Sequence, residues 1–159
     1  MNSFEVILNR DGKLVYKTRG VSMRPMLREN RDIVAISAPD RPLKRYDVAL
    51  YRRGSDYVLH RVIRVTDRYY LIRGDNTYAT EKVPTDAVIG VLTDFKRKGK
   101  TYSVYDIRYR CYCRIWCWSY PLRRLLIKIR RKLKKTAIPR ELRKTGKKGT
   151  GGSRTGFKR

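Results

Sequence analysis

The sequence predicts a mainly β protein built around one small antiparallel domain. Short apolar runs follow one another closely between turn residues, and the clearest of them, 57–65, alternates in polarity with a period of two residues. We see no helical periodicity before residue 107. We therefore expect residues 1–106 to form a single antiparallel β domain.

Each predicted strand is an apolar or alternating run bounded by Gly, Pro, Asn or Asp. Turn residues Arg10-Asp11-Gly12 predict an N-terminal hairpin. Its two strands and those that follow are expected at 4–8, 14–16, 32–36, 48–51, 57–65 and 69–72, with a last hairpin of 88–92 and 102–104.

The C-terminal part of the chain has a different composition. The net charge is +26, and residues 1–95 contribute +5 of it while residues 96–159 contribute +21. We expect a basic amphipathic helical appendage over 107–140 and a disordered basic tail over 141–159. An anionic membrane surface, bound through residues 115–135, is the favoured partner, and nucleic acid is the less favoured one. The apolar face of this helix consists of Leu122, Leu125, Leu126, Ile129 and Leu133.

Cofactors and membrane spans are not expected. Cys111, Cys113 and Cys117 form a C-x-C-x3-C cluster without a fourth ligand, so we interpret them as thiols rather than a metal site. Neither a secretory signal nor an apolar run long enough to span a bilayer is evident. We therefore expect a cytoplasmic protein, peripherally associated with a membrane.

A serine, a histidine and a carboxylate occur in order within the predicted β domain. Ser22 lies in the segment Gly20-Val21-Ser22-Met23-Arg24-Pro25, His60 is the only histidine of the chain, and Asp75 lies in a Gly-Asp-Asn turn. Taken singly, each is an ordinary turn or strand residue. Together they fit a serine hydrolase, because a hydroxyl becomes a nucleophile only when a held base takes its proton.

The local motifs resemble those of the superfamily of signal peptidases and LexA-type serine peptidases. Ser22-Met23-Arg24-Pro25-Met26-Leu27 is similar to its S-M-x-P-x-L box. Arg45-Tyr46-Asp47-Val48-Ala49-Leu50-Tyr51 resembles its second conserved strand, usually G-D-[VI]-V. His60-Arg61-Val62 and Gly74-Asp75-Asn76 resemble the H-R-[VI] and G-D-N boxes of the archaeal and endoplasmic-reticulum signal peptidases, which use His where bacterial ones use Lys.

The resemblance implies a serine endopeptidase in which Ser22 is the nucleophile and His60 the general base. The carboxylates of the family map to Asp75 and Glu81; the sequence does not choose between them, and Asp75 is slightly preferred as the partner of His60. The Ser22 N–H would be the main oxyanion donor, since Gly20 offers no side chain. An imidazole base predicts activity that rises through roughly pH 6–7.5. The expected substrate is a polypeptide or leader peptide bound as an extended strand.

A second interpretation, in which the protein is a binding domain rather than an enzyme, stays open. The chain would then be a catalytically inactive β domain that binds nucleic acid or anionic lipid through its basic tail.

Overall fold

Eight strands form one antiparallel sheet in the computed structural model, which describes residues 3–126 and 129. The order of strands is β1-β2-β7-β3-β4-β5-β6, and β8 pairs with β7. The prediction of a mainly β, antiparallel architecture is confirmed. In chain order the strands are β1 (Lys13–Lys17), β2 (Ile33–Ser37), β3 (Val48–Arg53), β4 (Asp56–Val65), β5 (Tyr69–Arg73), β6 (Glu81–Pro84), β7 (Val88–Arg97) and β8 (Lys100–Ser103). Among residues 3–119, the three short helices are α1 (Ser3–Asp11), a 3₁₀ turn (Thr85–Ala87) and α2 (Ile107–Trp118).

The N-terminal segment is a helix, so the prediction of a first strand at 4–8 is wrong. Phe4, Ile7 and Leu8 have the i, i+3, i+4 spacing of one helix face, and all three contribute to the core. Gly12 ends α1 in the left-handed conformation, with φ of 67°, and its N–H donates to the Leu8 carbonyl at 2.9 Å. A run of five residues, 4–8, is too short to distinguish the two-residue period of a strand from the 3.6-residue period of a helix.

The two faces of the sheet carry two separate apolar clusters. Along β3, Val48 and Leu50 point into the first cluster, while Ala49 and Tyr51 point into the second. Both faces of β3 are therefore buried, which explains its uninterrupted apolar run. Strand β6, which the sequence pattern does not predict, pairs with β5 at the sheet edge.

Helix α2 packs its inner face against the first cluster. Tyr109 and Cys113, four residues apart, are both buried there. The first compact unit consequently extends to Ser119, and the expected domain boundary after residue 106 falls inside it.

The second unit begins at Tyr120. Residues 120–126 are helical. Residues 127, 128 and 130–140 of the predicted basic helix and the whole predicted tail over 141–159 lie outside the described residues, and these parts stay predictions. Within residues 3–126 and 129, no helix has the length and hydropathy needed to cross a membrane.

Candidate active site

Ser22 lies on the loop between β1 and β2, which is held by hydrogen bonds to Asp32 and by burial of apolar side chains. The buried Asp32 carboxylate accepts from the Arg28 backbone N–H at 2.8 Å and from the Arg31 guanidinium at 2.6 and 2.8 Å. The peptide bond before Pro25 is cis. Behind Ser22 the loop buries three apolar side chains in the core, Met23, Met26 and Leu27.

The Gly74-Asp75-Asn76 turn clamps the Ser22 loop from the other side. The Asn76 backbone N–H donates to the Ser22 carbonyl at 2.7 Å, and its side-chain amide donates to the Val21 carbonyl at 3.2 Å. Gly74 sits between Ser22 and His60: a Cβ there would lie 2.8 Å from the Ser22 carbonyl oxygen and 3.0 Å from His60 Nε2. The glycine thus lets the Ser22 backbone and the His60 ring approach the same point.

His60 is buried, and its other ring nitrogen meets a tyrosine and a glutamate. Nδ1 lies 3.2 Å from the Tyr51 hydroxyl and 3.7 Å from Glu81 Oε1. The Tyr51 hydroxyl donates to Glu81 Oε2 at 3.0 Å, and Glu81 is ion-paired with Arg53 at 3.2 Å. His60 Nδ1 therefore belongs to a hydrogen-bonded cluster, whereas Nε2 is on the side of Gly74 and Ser22.

Burial lowers the pKa of His60 below its usual value of 6.5. Glu81 and, more weakly, Asp75 favour the charged ring, but they do not offset burial and the positive charge of Arg53. His60 is thus neutral at pH 7, as a general base must be.

The carboxylate next to His60 is Glu81 and not Asp75, which reverses the slight preference drawn from the sequence. Side chains alternate between the faces of a sheet, and paired residues share a face. The pairings Val62↔Ile72 and Ile72↔Glu81 put Glu81 on the face that His60 shares with Val62. Asp75 instead binds Arg61, the next residue of β4, on the opposite face.

Arg61 and Asp75 form a buried ion pair that ties several elements together. Arg61 Nε and Nη2 each donate to the Asp75 carboxylate at 2.8 Å, and both side chains are almost fully buried. The negative charge of Asp75 raises the pKa of Arg61 even though burial opposes it. Helix α2 joins this pair, since the Tyr112 hydroxyl donates to Asp75 Oδ2 at 3.3 Å. The other groups around the guanidinium are the Tyr46 carbonyl, the Tyr109 hydroxyl, Cys113 Sγ and Met26 Sδ.

Ser22, His60 and Glu81 line one groove of about 960 Å³. Its walls include the end of β1 and the first half of β4. In the described part of the chain, β1 pairs only with β2, and residues 56–60 of β4 pair only with β3. Two strand edges beside the groove are therefore open.

Ser22 lines this groove and carries a hydroxyl and a backbone N–H. Within the described residues, neither the Ser22 N–H nor its Oγ takes part in a hydrogen bond, so Oγ is not bonded to His60. A nucleophile–base contact is commonly long before substrate binds. The arrangement offers a hydroxyl, a neutral imidazole and a backbone donor within one cleft.

Tyr51 is the residue at this site that the sequence reasoning missed. The sequence pattern indicates it only as the last residue of the predicted strand at 48–51. A tyrosine within a predicted strand could have indicated a polar contact at this site, because a buried tyrosine hydroxyl needs a hydrogen-bond partner. No cluster of three or more His, Cys, Asp or Glu side chains with metal-binding geometry occurs within the described ranges.

In comparisons with known proteins, no family model matches this chain, and no curated protein matches it either. The likeness to signal peptidases therefore depends on the four sequence boxes.

Proposed function

We propose that this protein is a serine endopeptidase of the signal peptidase type, with Ser22 as nucleophile and His60 as general base. The observation that carries the proposal is the position of Gly74, against which the Ser22 carbonyl and His60 Nε2 both lie. Only a glycine permits this approach. A purely structural turn has no need to bring a serine and the sole histidine to one groove.

The chemistry follows from these positions. His60 Nε2 takes the proton of Ser22 Oγ as the oxygen attacks the substrate carbonyl carbon, and the Ser22 N–H stabilises the oxyanion. Nε2 then gives this proton to the leaving amine as the C–N bond breaks. Water, deprotonated by Nε2, releases the acyl group from Ser22 and restores the enzyme.

The groove suits an extended polypeptide substrate. Among the described strands, β1 pairs only with β2 and residues 56–60 only with β3, so a peptide would add as a further strand beside either of them. A peptide bound in this way passes between these edges and Ser22.

A fluorophosphonate probe tests the proposal, since it phosphonylates an activated serine. We expect labelling of the wild type and of Ser55→Ala, an exposed serine on the β3–β4 turn, but not of Ser22→Ala. Cleavage of a synthetic peptide library, followed by mass spectrometry, provides a second readout for a site that excludes the probe. Equal labelling and equal cleavage by wild type and Ser22→Ala would contradict the assignment.

A second candidate function is binding to an anionic membrane surface, and one observation favours it. Four residues on the outer face of α2, spaced at i, i+4, i+8 and i+11, are exposed, and Arg110 and Arg114 are exposed beside them. Such an apolar stripe flanked by positive charge is typical of an interfacial helix. The stripe consists of Ile107, Cys111, Ile115 and Trp118. This function is compatible with peptidase activity, and it also remains available to an inactive domain.

A further inference from the structure

We infer that Tyr51 is a positioning residue that holds His60 in the Nδ1–H tautomer, so that the lone pair of Nε2 is directed to Ser22. Its consequence for catalysis depends on the proposed function. The tautomer itself does not, and it is open to direct measurement.

The inference follows from counting hydrogens between three side chains. The Tyr51 hydroxyl has one hydrogen, which lies toward Glu81 Oε2 at 3.0 Å, since an ionised carboxylate can only accept. The same hydroxyl oxygen lies 3.2 Å from His60 Nδ1 and must accept there. Nδ1 therefore carries the hydrogen of the neutral ring, and Nε2 carries the lone pair.

The fold fixes this order of contacts through strand register. Ala49 pairs with His60 across β3 and β4, so Tyr51, two residues further along β3, is the diagonal neighbour of His60 on the same face. Glu81 reaches that face from β6. The Tyr51 side chain is 1% exposed, and water cannot readily replace its hydroxyl.

The charges around the ring are consistent with a fixed neutral tautomer. Glu81 lies beyond the Tyr51 hydroxyl and is balanced by Arg53, while the Asp75 carboxylate binds Arg61 on the opposite face. Burial and the Glu81 carboxylate raise the pKa of Tyr51 well above its usual value, so its hydroxyl keeps the proton. No proton needs to pass to Tyr51 during turnover. The imidazolium formed at Nε2 still donates from Nδ1 to the Tyr51 oxygen, whose hydrogen points to Glu81.

Nitrogen NMR on the full-length protein measures the tautomer without ambiguity, because His60 is the only histidine. At a pH where the ring is neutral, the wild type should show a protonated Nδ1 and an unprotonated Nε2. Tyr51→Phe should lose this preference. Tyr70→Phe is the matched control, because it removes another buried hydroxyl of the same cluster, one that accepts from the Leu43 N–H and makes no other hydrogen bond within the described residues.

A wild-type ring protonated mainly at Nε2 would overturn the inference, and so would a Tyr51→Phe ring that keeps the Nδ1–H tautomer. If Tyr51→Phe does not fold, the wild-type measurement still shows whether Nδ1 or Nε2 carries the hydrogen, and so tests the inference. The rate of fluorophosphonate labelling at Ser22 supplies the catalytic arm. We expect it to fall roughly tenfold or more in Tyr51→Phe, from loss of base orientation, and to stay near wild type in Tyr70→Phe.

The peptidase proposal and the role of Tyr51 are refuted by different results. A wild type that is not labelled and that cleaves the peptide library no better than Ser22→Ala, but shows the expected tautomer, would refute the peptidase and leave the tyrosine contact standing. A labelled wild type with unchanged tautomer and rate in Tyr51→Phe would refute only the role of Tyr51.

Discussion

Replacing Gly74 by alanine tests how closely Ser22 and His60 depend on one another. Gly74 is outside the left-handed region, so alanine can adopt its backbone conformation. The added methyl group, however, would lie 2.8 Å from the Ser22 carbonyl oxygen and 3.0 Å from His60 Nε2. The first of these neighbours is backbone and cannot rotate away.

The displacement follows from these distances. Non-bonded carbon and oxygen atoms rest near 3.4 Å, so relieving the contact requires a shift of roughly 0.6 Å between the Ser22 loop and the Gly74 turn. The shift also strains the 2.7 Å bond from the Asn76 N–H to the Ser22 carbonyl. A displacement of about 1 Å in a catalytic group can cost 10²-fold, so we expect the labelling rate at Ser22 to fall about tenfold or more. Overpacking should lower the free energy of unfolding by about 1–3 kcal/mol.

Gly90→Ala is the matched control. Its Cβ would contact the Ile36 side chain and lie 3.3 Å from the Ser37 carbonyl, so it overpacks the core at residues that do not line the groove. We therefore expect a comparable fall in the free energy of unfolding, measured by urea denaturation, with labelling near wild type. Wild-type labelling by Gly74→Ala, or an equal loss of labelling in both variants, would refute the argument that Gly74 sets the separation of Ser22 and His60.

Three further predictions follow from the same contacts. Burial lowers the pKa of His60, so the rate of labelling at Ser22 should increase with pH around a midpoint below 6.5, which is lower than the sequence alone indicated, and should be constant from about pH 7 to 8. A midpoint above 6.5 would contradict this prediction. Arg61→Ala removes the ion-pair partner of the buried Asp75 carboxylate, so urea denaturation should show that the free energy of unfolding falls by about 3–5 kcal/mol. A fall near the ~1 kcal/mol of a surface pair would argue against the buried contact. Trp118→Ser removes the most exposed aromatic side chain of α2, so binding to anionic vesicles, measured by sedimentation, should weaken by about tenfold. Unchanged sedimentation with these vesicles would exclude this helix from the membrane contact.

The sequence by itself predicted what depends on local pattern. Strong period-two alternation identified β4, and the turn at Gly99 identified the β7–β8 hairpin, because both signals lie within a few neighbouring residues. The Ser22, His60 and Gly74-Asp75-Asn76 boxes were also recognisable as short motifs. The structure brings Ser22 and His60 to one groove and places Gly74 against both of them.

Tertiary structure decided what depends on register and packing. Whether Asp75 or Glu81 lies beside His60 is a matter of which face of the sheet each occupies, and a one-residue step reverses that face. Nothing local predicts it. The Tyr51 contact likewise arises from the pairing of β3 with β4. The attachment of α2 depends on Arg61, a charged residue that the sequence alone would place at the surface and that is buried because it forms an ion pair with Asp75. Long-range pairing sets these contacts, and a short window of sequence contains no information about it.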